Sequence, residues 1–578
     1  MLRLKKYFKG LYLRALTAPL FKFFEAVFEL FVPLCMKEII DNGIGTGDTS
    51  LIFRMGGVLA LLALAGLIFS VSSQYFSAHV STMFAARLRS ALFSHVQYLS
   101  VSDGNKVGKD TLIARLTSDT LKVQTGVNMA LRLVLRSPFI VFGSTVMAFT
   151  VSPRSLPIFL VTIVLLFIAV YAIMYATVPL FGKVQKTFDK QILRTRENVS
   201  GARIIRAFGR KEDEKIKYEE AQDELYRISM TSSRVSAILN PATFIIINAA
   251  LLFVILMGGE GVNTGELTDG EVVALVNYMS QILVELVKLS NLVITINKGL
   301  VSANRIADVM DITTEKELLA VGNDLENAPH SIEFRNVSYR YPGSSEDALT
   351  DISFKLGAGQ TLGIIGGTGS GKSTLASLIP GYVLPSSGEI LIDGIPAEHF
   401  SPKSRRACVG FVSQKPAVFA GSLEHNVKFG NSSATDEAVR RACDDACATE
   451  FISEKEGGLA FEASQNGSNL SGGQRQRINA ARAFARCSGI VILDDASSAL
   501  DNATDKKMRH AVRNMPQKPT TVIISQRCGS VRKADLIMVL EDGICVGIGK
   551  HDDLLLSCET YKEINALQYG KEEETNEK

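Results

Sequence analysis

The sequence predicts a multidomain protein in which an all-α transmembrane domain of six helices precedes an α/β domain. Two observations lead to this prediction: charge-free apolar runs in the first half, and a glycine-rich motif between a strand and a helix pattern in the second. The chain has 578 residues, of which 47% are hydrophobic and only 21% are charged. Soluble chains carry about 25% charged residues. The composition therefore excludes a disordered chain and a wholly soluble enzyme.

Three runs in the first half contain no Asp, Glu, Lys or Arg: residues 55–86, 155–182 and 235–259. The middle run would be about 42 Å long as a helix, which exceeds the roughly 30 Å hydrocarbon core of a bilayer. Each run is therefore predicted to cross a membrane. Weaker apolar segments with a few charges complete the predicted set of six spans: 16–40, 128–152 and 270–297.

The distribution of Lys and Arg predicts how the chain is oriented. The N-terminus is basic and amphipathic, and the long loops 87–127 and 183–234 are rich in Lys and Arg. Segments 38–53 and 235–287 contain neither residue. By the positive-inside rule, the N-terminus, both long loops and the second domain are cytoplasmic in a cell (plasma or inner) membrane. We expect no cleavable signal peptide, and an interfacial helix leading into the first span.

Several predicted spans contain charged residues, which are costly in a membrane and often functional. Glu25 and Glu29 share one helix face because they are four residues apart. Glu285 and Lys288 are three residues apart in the sixth span. These residues either line a polar substrate cavity, or form local ion pairs and reach towards the span ends. The cavity is slightly favoured for Glu25 and Glu29.

The composition changes near residue 300 and sets the predicted domain boundaries. We expect a transmembrane domain with cytoplasmic helical extensions over 1–298, a linker over 299–330, an α/β domain over 331–569 and a charged tail over 570–578. The 62 Lys and Arg nearly balance the 59 Asp and Glu, which excludes a nucleic-acid binder, since such a domain would be basic. The eight cysteines show no zinc-ligand spacing and are interpreted as reduced cytosolic thiols.

Residues 366–373 fit the pattern G-x-x-x-x-G-K-[ST], between a strand pattern and a helix pattern. In this motif glycines let backbone N–H groups surround phosphates, while the lysine reaches the β- and γ-phosphates and the hydroxyl binds Mg²⁺. The predicted ATP contacts in this motif and just after it are Gly366, Gly367, Thr368, Gly369, Ser370, Gly371, Lys372, Ser373 and Thr374.

An apolar run over 490–493 ends in two carboxylates, Asp494 and Asp495. A phosphate loop and a carboxylate at the end of a second strand cooperate in holding Mg²⁺. Asp494 and Ser373 are therefore predicted magnesium ligands, and ATP and Mg²⁺ the expected cofactors. The second half is accordingly predicted to be an α/β P-loop nucleotide-binding domain.

Residues 470–477, LSGGQRQR, resemble the signature of ATP-binding cassette proteins, and segments 108–119 and 197–210 resemble cytoplasmic loops of exporter-type transporters. Six spans and one cassette resemble half of a transporter, which must dimerise. Each residue role that this resemblance implies is an expectation: adenine stacking for Tyr341, magnesium sensing for Gln414, contact with a partner's ATP for Ser471, Gly472, Gly473 and Gln474, and dimer contact for Asp501.

Two positions depart from this family's pattern, and Gln465 is a milder departure. Asp495 stands where a catalytic glutamate is expected, and Gln526 stands where a switch histidine is expected. A general base must lie within about 2.6–3.2 Å of its proton, directly or through one water, and aspartate is one methylene shorter than glutamate. Glutamine cannot carry the charge of imidazolium. Both departures predict a degenerate, slowly hydrolysing ATP site.

The sequence therefore resembles the degenerate subunit of heterodimeric multidrug exporters. The implied partners are a non-identical half-transporter chain, membrane lipid and a small amphipathic substrate. The main alternative is a homodimeric exporter of lipid or peptide, in which both substitutions are tolerated. A further alternative is an ATP-gated membrane regulator or channel. The charge-free spans exclude a soluble cassette ATPase, and an importer is disfavoured because its domains usually occur on separate chains.

Overall fold

The computed structural model describes residues 2–315 and 323–569. The chain divides into two compact units, one formed by residues 1–94 and 110–311, the other by residues 95–109 and 312–578. The first, here called the helical unit, is all-α, and the second, the α/β unit, contains every strand of the described residues. This confirms the predicted fold class. The predicted tail 570–578 and residues 316–322 of the predicted linker lie outside the described residues.

The helical unit is built from long helices joined by short turns. Short 3-10 helices cover Leu2–Phe8 and Pro153–Ser155, and π-helical turns cover Ile39–Ile44 and Arg115–Asp119. The α-helices of residues 12–310 are α1 Tyr12–Glu38, α2 Thr49–Gln97, α3 Val101–Val107, α4 Lys109–Ala114, α5 Thr120–Leu133, α6 Arg136–Val151, α7 Leu156–Ser200, α8 Ala202–Ala207, α9 Lys211–Ala237, α10 Leu239–Asn263 and α11 Asp269–Met310. Of these, α3 belongs to the α/β unit, together with residues 95–97 at the end of α2 and residue 109 at the start of α4.

Five helical stretches of the described residues are long and apolar enough to cross a membrane: Thr49–Gln97, Lys109–Val151, Pro153–Ser200, Lys211–Asn263 and Asp269–Met310. α2 has 49 residues and is about 74 Å long. It therefore continues well beyond the roughly 30 Å of the hydrocarbon core. The cytoplasmic helical extensions stay a prediction.

α1 is not among these five because every 18-residue stretch of it contains Lys22, Glu25 and Glu29. These charges are compensated inside the unit. The Lys22 ammonium lies 2.5 Å from a carboxylate oxygen of Glu25, and the Arg136 guanidinium lies 2.6 Å from Glu29. A paired charge in a helix bundle costs far less than an isolated one. α1 is therefore the sixth span.

α11 continues to Met310, so the predicted start of the linker at 299 lies inside this helix. The helix continues because its apolar face remains packed: Ala303 and Ile306 are fully buried. A Cβ atom on Gly299 would lie 3.3 Å from the Cα atom of Gly126 in α5. Two glycines that face each other let the backbones of α5 and α11 approach closely.

The α/β unit contains twelve strands among its described residues: β1 Ile332–Tyr339, β2 Leu349–Leu356, β3 Thr361–Gly366, β4 Ser387–Ile392, β5 Ile395–Pro396, β6 Val409–Val412, β7 Gly421–Ser422, β8 Glu462–Ala463, β9 Ile490–Asp494, β10 Thr520–Ile524, β11 Leu536–Glu541 and β12 Ile544–Gly549. They form a six-stranded sheet of order β12-β11-β3-β10-β9-β6, a four-stranded sheet of order β2-β1-β4-β5 and the pair β7-β8. In the larger sheet only β12 is antiparallel to its neighbour.

Helices of the α/β unit alternate with these strands. They are α12 Lys372–Leu378, α13 Pro402–Ala407, α14 Leu423–Lys428, α15 Asp436–Asp445, α16 Thr449–Ser453, α17 Gly472–Phe484, α18 Asn502–Arg513, α19 Cys528–Val531, α20 His551–Ser557 and α21 Glu559–Tyr569, with short 3-10 turns at Ala397–His399, Gly458–Ala460 and Gln465–Gly467. The strand and the helix predicted before and after the glycine motif are confirmed as β3 and α12.

The central strands are buried on both faces, as continuous apolar runs predict for a parallel sheet. Alternate residues of β9 enter different cores: Val491 and Leu493 pack in one, and Ile490 and Ile492 in the other. The carboxyl ends of β3 and β9 lie at the same edge of this sheet, because both strands pair in parallel with β10. This edge positions the candidate site.

Candidate active site

The loop that follows β3 is closed against protein on one side and open on the other. A Cβ atom on Gly366 would lie 2.1 Å from the carbonyl oxygen of Leu540. On Gly371, which has a φ of +91°, it would lie 2.6 Å from the carbonyl oxygen of Ala348. Both positions therefore require glycine. Gly367 and Gly369 have nothing within 4 Å of such an atom, so the open side leaves room for a ligand.

Lys372 begins α12 and its side chain is buried. Its ammonium donates hydrogen bonds to the carbonyl oxygen of Gly366 (2.9 Å), to that of Gly367, and to the hydroxyl of Ser370 (3.3 Å). Burial lowers the pKa of Lys372, and the carboxylates of the Asp494–Asp495 pair oppose this shift. The charged form of Lys372 is therefore less stable in the folded site than in water. A negatively charged phosphate in the open loop would stabilise it.

Asp494 ends β9 and is also buried. The Ser373 hydroxyl donates a 2.8 Å hydrogen bond to its carboxylate. Burial raises the pKa of Asp494, and the neighbouring Asp495 raises it further, while the bond from Ser373 and the charge of Lys372 oppose the rise. A buried carboxylate and a hydroxyl are hard oxygen ligands of the type that Mg²⁺ prefers. These residues therefore fit a phosphate-bound magnesium ion.

Asp495 lies beside Asp494 in a left-handed backbone conformation, with φ of +46°. Its N–H donates to the carbonyl oxygen of Ile524 at the end of β10 (3.0 Å). Its carboxylate accepts a 3.2 Å hydrogen bond from the side-chain amide of Gln414. The structure therefore brings the expected base position, the magnesium carboxylate and the sensing glutamine together at one edge of the sheet.

Tyr341 lies next to the phosphate loop. Its hydroxyl shares a 2.9 Å hydrogen bond with the hydroxyl of Thr374, and its ring is 48% exposed. The ring meets Tyr339 edge-on, with centroids 4.9 Å apart. A half-exposed aromatic ring beside a phosphate loop suits stacking with a flat base.

The signature residues form the N-terminus of α17. The Ser471 hydroxyl accepts from the Gln474 N–H at 3.2 Å, and the Gln474 side chain accepts from the Ser471 N–H at 3.0 Å. This reciprocal capping box keeps the turn in one conformation. Ser471 and Gly472 are exposed, and no hydrogen bond among the described residues joins them to the phosphate loop. The turn therefore has an exposed helix N-terminus, which suits an anion.

The two remaining predicted positions lie at the ends of neighbouring elements. Asp501 caps α18, and the hydrogen bonds from Thr504 hold the pKa of this exposed carboxylate below its usual value. Gln526 is exposed in the turn after β10. Its carbonyl oxygen accepts a 2.6 Å hydrogen bond from the side chain of Gln568. Nothing in the sequence indicated Gln568, which lies in the last described helix.

The helical unit contains a second cluster of charges, at the residues first considered for a substrate cavity. The Arg136 guanidinium lies 2.6 Å from both Glu29 and Glu285, and Lys288 lies 2.8 Å from Glu285. Glu25 pairs with Lys22 in the same region. The structure therefore contains the ion pairs that were the alternative interpretation, and a cavity role for Glu25 and Glu29 stays a prediction.

A phosphate loop with its lysine, hydroxyl and carboxylate, fused to six spans, is the arrangement of a membrane transporter with an ATPase domain. Comparison with known families agrees. The model of the ABC transporter transmembrane region matches residues 16–286, and that of the ABC transporter matches residues 349–498. The chain belongs to the ABC transporter family and is a multi-pass half-transporter.

Similar proteins cover nearly the whole chain. An uncharacterized ABC transporter ATP-binding protein of Bacillus subtilis, YfiB, is 32% identical over 95% of both chains. The ATP-dependent lipid A-core flippase of Escherichia coli K12 is 30% identical over 95% of this chain and 94% of the flippase. A solved bacterial Atm1-family ABC exporter with ATP bound has a TM-score of 0.82 at 23% identity, covering 98% of this chain and 99% of that one. This last likeness concerns the fold. The protein is an ATP-driven ABC exporter, and such exporters work as dimers.

Proposed function

We propose that this chain is one subunit of a heterodimeric exporter, with a degenerate ATP site of its own and an intact signature for its partner's site. The observation that carries the proposal is a combination of two features. The expected catalytic glutamate and switch histidine are both replaced, by Asp495 and Gln526, whereas the signature at Ser471 keeps an ordered capping box. A signature that bound no nucleotide would not need a turn that a capping box holds in one conformation. In a pair of unlike cassettes, the ordered turn would complete the partner's active site.

ATP would bind with its phosphates in the loop that Gly367 and Gly369 leave open. Lys372 would exchange its loop carbonyl partners for phosphate oxygens, and the exposed ring of Tyr341 would stack on adenine. Ser373, Asp494 and Gln414 would hold Mg²⁺. Bound magnesium neutralises charge on the phosphates. The residues therefore support tight binding of ATP regardless of its hydrolysis.

Hydrolysis at this site is slow in our proposal for two reasons. The Asp495 carboxylate is one methylene short of the expected base, and it already accepts a hydrogen bond from Gln414. A base must reach the attacking water with hydrogen-bond geometry. Gln526 can donate a hydrogen bond, but its neutral side chain gives no cationic stabilisation to the charge that develops on the phosphate. The bound ATP would act mainly as a clamp between the two cassettes.

The transported molecule is proposed to be a small amphipathic compound, such as a drug. It would enter from the cytoplasmic side of a plasma or inner membrane, with the N-terminus and α/β unit in the cytoplasm. The placement of Lys and Arg in loops supports this orientation. Glu25 and Glu29 are the proposed polar residues of the cavity, and Glu29 is the more accessible, with 39% of its side chain exposed.

A second candidate is a homodimeric exporter of lipid. It is favoured by the 30% identity with the lipid A-core flippase. In this candidate two copies of this chain hydrolyse ATP at full rate, and lipid stimulates the hydrolysis. ATP turnover of the purified chain with and without added lipid separates the two candidates.

The degenerate site can be tested by recovering the nucleotide that the chain retains. The chain is incubated with Mg²⁺ and ATP, freed of unbound nucleotide by gel filtration, and denatured. Chromatography then separates ATP from ADP. We expect mostly ATP, since the site binds without efficient hydrolysis. Recovery of mostly ADP would contradict the proposal.

Lys372→Ala is expected to weaken binding of a fluorescent ATP analogue by about 10- to 100-fold, since hydrogen bonds to charged groups contribute about 1.5–3 kcal/mol. Lys355→Ala is the matched control, because 73% of the Lys355 side chain is exposed in β2. The Lys355→Ala variant should bind the ATP analogue with the same affinity as the unaltered chain. Equal affinities for the two variants would show that phosphates do not bind at this loop.

A further inference from the structure

The last described helix, α21, contacts the turn that contains the switch position. The turn and the start of α19, residues 525–529, are called the switch segment here. The Gln568 side chain makes two hydrogen bonds to its backbone. It donates to the carbonyl oxygen of Gln526 at 2.6 Å and accepts from the N–H of Cys528 at 2.8 Å. One amide therefore bridges the residues on both sides of Arg527.

Other contacts hold Ser525 and Arg527 of the switch segment, while the carbonyl oxygen of Gln526 is left to Gln568. The Ser525 N–H donates to Ile364 of β3 at 3.1 Å. The Arg527 guanidinium donates to Asn502 at 2.7 Å. Among the described residues, Gln568 is the only hydrogen-bond donor to the carbonyl oxygen of Gln526. The N–H of the same peptide group, that of Arg527, donates to the Ser525 hydroxyl at 3.0 Å, so Gln568 holds this peptide group by its carbonyl end.

α21 is itself firmly attached to the α/β unit. Tyr561 is fully buried in the same apolar core as Cys528, and its hydroxyl shares a 2.8 Å hydrogen bond with His551. At the other end of the helix, a Cβ atom on Gly529 would lie 2.3 Å from the Tyr569 hydroxyl. The helix thus presents Gln568 from a fixed position against the switch segment.

We propose that Gln568 is a positioning residue for ATP hydrolysis, acting through the backbone of the switch position. This inference rests on the proposed role of position 526. Without the amide, the carbonyl oxygen of Gln526 loses its hydrogen-bond donor, and the side chain at 526 samples more orientations. A misplacement of about 1 Å near reacting groups can cost a large factor in rate. α21 therefore contributes to hydrolysis through Gln568.

The kinetic test uses Asp495→Glu with Gln526→His as the background. Adding Gln568→Ala should lower kcat about three- to tenfold and change KM for ATP by less than about twofold, because one or two hydrogen bonds that orient the switch are lost. Gln568→Glu should lose as much, since a carboxylate cannot donate to the Gln526 carbonyl. Leu567→Ala is the control, because Leu567 is 87% exposed on the same helix.

Unchanged kcat in Gln568→Ala, or a raised KM with unchanged kcat, would overturn the inference. A second readout does not depend on hydrolysis. The chain has no tryptophan, so Gln526→Trp introduces a single indole at the switch position without altering the backbone groups that Gln568 binds. Fluorescence anisotropy of this variant should fall when Gln568→Ala is added, and not when Leu567→Ala is added.

Equal anisotropy in Gln526→Trp alone, with Gln568→Ala and with Leu567→Ala would overturn the inference, regardless of ATP turnover. If the background variant gains no hydrolysis, the proposal of a site disabled at two positions fails. The anisotropy measurement then still decides whether Gln568 positions the switch segment. The two failures are therefore distinguishable.

Discussion

Asp495→Glu combined with Gln526→His is expected to raise the ATP turnover of the purified chain at least about tenfold. A correctly placed acid–base group contributes about 10²–10⁴-fold, and the histidine restores a group that can carry positive charge. The loop after β3, Ser373 and Asp494 already lie together at one edge of the sheet, where we propose that ATP binds. Phosphate release from the chain in lipid nanodiscs measures the effect.

Two controls make this result specific. Asp542→Glu makes the same change at another exposed aspartate with a left-handed backbone, of φ +45°, and should leave turnover unchanged. Adding Lys372→Ala to the double variant should return turnover to the level of the unaltered chain. A double variant no faster than the unaltered chain would mean that other residues disable the site.

Arg136→Met is expected to destabilise the helical unit by up to roughly 3–5 kcal/mol, since the buried Glu285 loses one of its two cations and the half-exposed Glu29 loses its ion-pair partner. Arg136 holds Glu29 and Glu285 together, and Glu285 is 2% exposed. The Ser137 hydroxyl donates to Glu285 at 2.8 Å, but it cannot replace a full charge. The midpoint of thermal unfolding in detergent, followed by circular dichroism, should fall clearly.

The control for this prediction is Arg154→Met. Arg154 pairs with Glu266 at a surface turn, and 70% of its side chain is exposed, so its loss should cost at most about 1 kcal/mol. Adding Glu29→Gln and Glu285→Gln to Arg136→Met should recover part of the lost stability, because the two carboxylates that have lost Arg136 are neutralised. Equal unfolding midpoints for Arg136→Met and Arg154→Met would contradict a stabilising role for the cluster.

The loop of the candidate nucleotide site could be located from the sequence because its residues lie close together in the chain. Gly366, Gly371, Lys372 and Ser373 lie close together in the sequence. Apolar runs on either side of them indicated a strand before the loop and a helix after it. The pairing of Ser373 with Asp494 joins residues far apart in sequence. It could still be anticipated, because carboxyl ends of parallel strands meet at one edge of a sheet.

The features that the sequence did not predict depend on packing between distant segments. Hydropathy alone placed the end of the membrane domain at 298, whereas the contact of Gly299 with Gly126 shows that α11 continues. Charge patterns located Glu29 and Glu285, but not that Arg136 joins them from a third helix. No sequence pattern distinguishes Gln568 from other polar residues of a helix. Only the fold places its amide against the switch segment.

The central claim is that this half-transporter binds ATP but needs an unlike chain to hydrolyse it efficiently. The most direct measurement is ATP turnover per chain of the unaltered protein, reconstituted alone in lipid vesicles, with its oligomeric state determined by light scattering in detergent. We expect slow turnover of the unaltered chain alone, and turnover at least about tenfold higher in the double variant. A stable homodimer of the unaltered chain that turns over ATP as fast as the double variant would contradict the account.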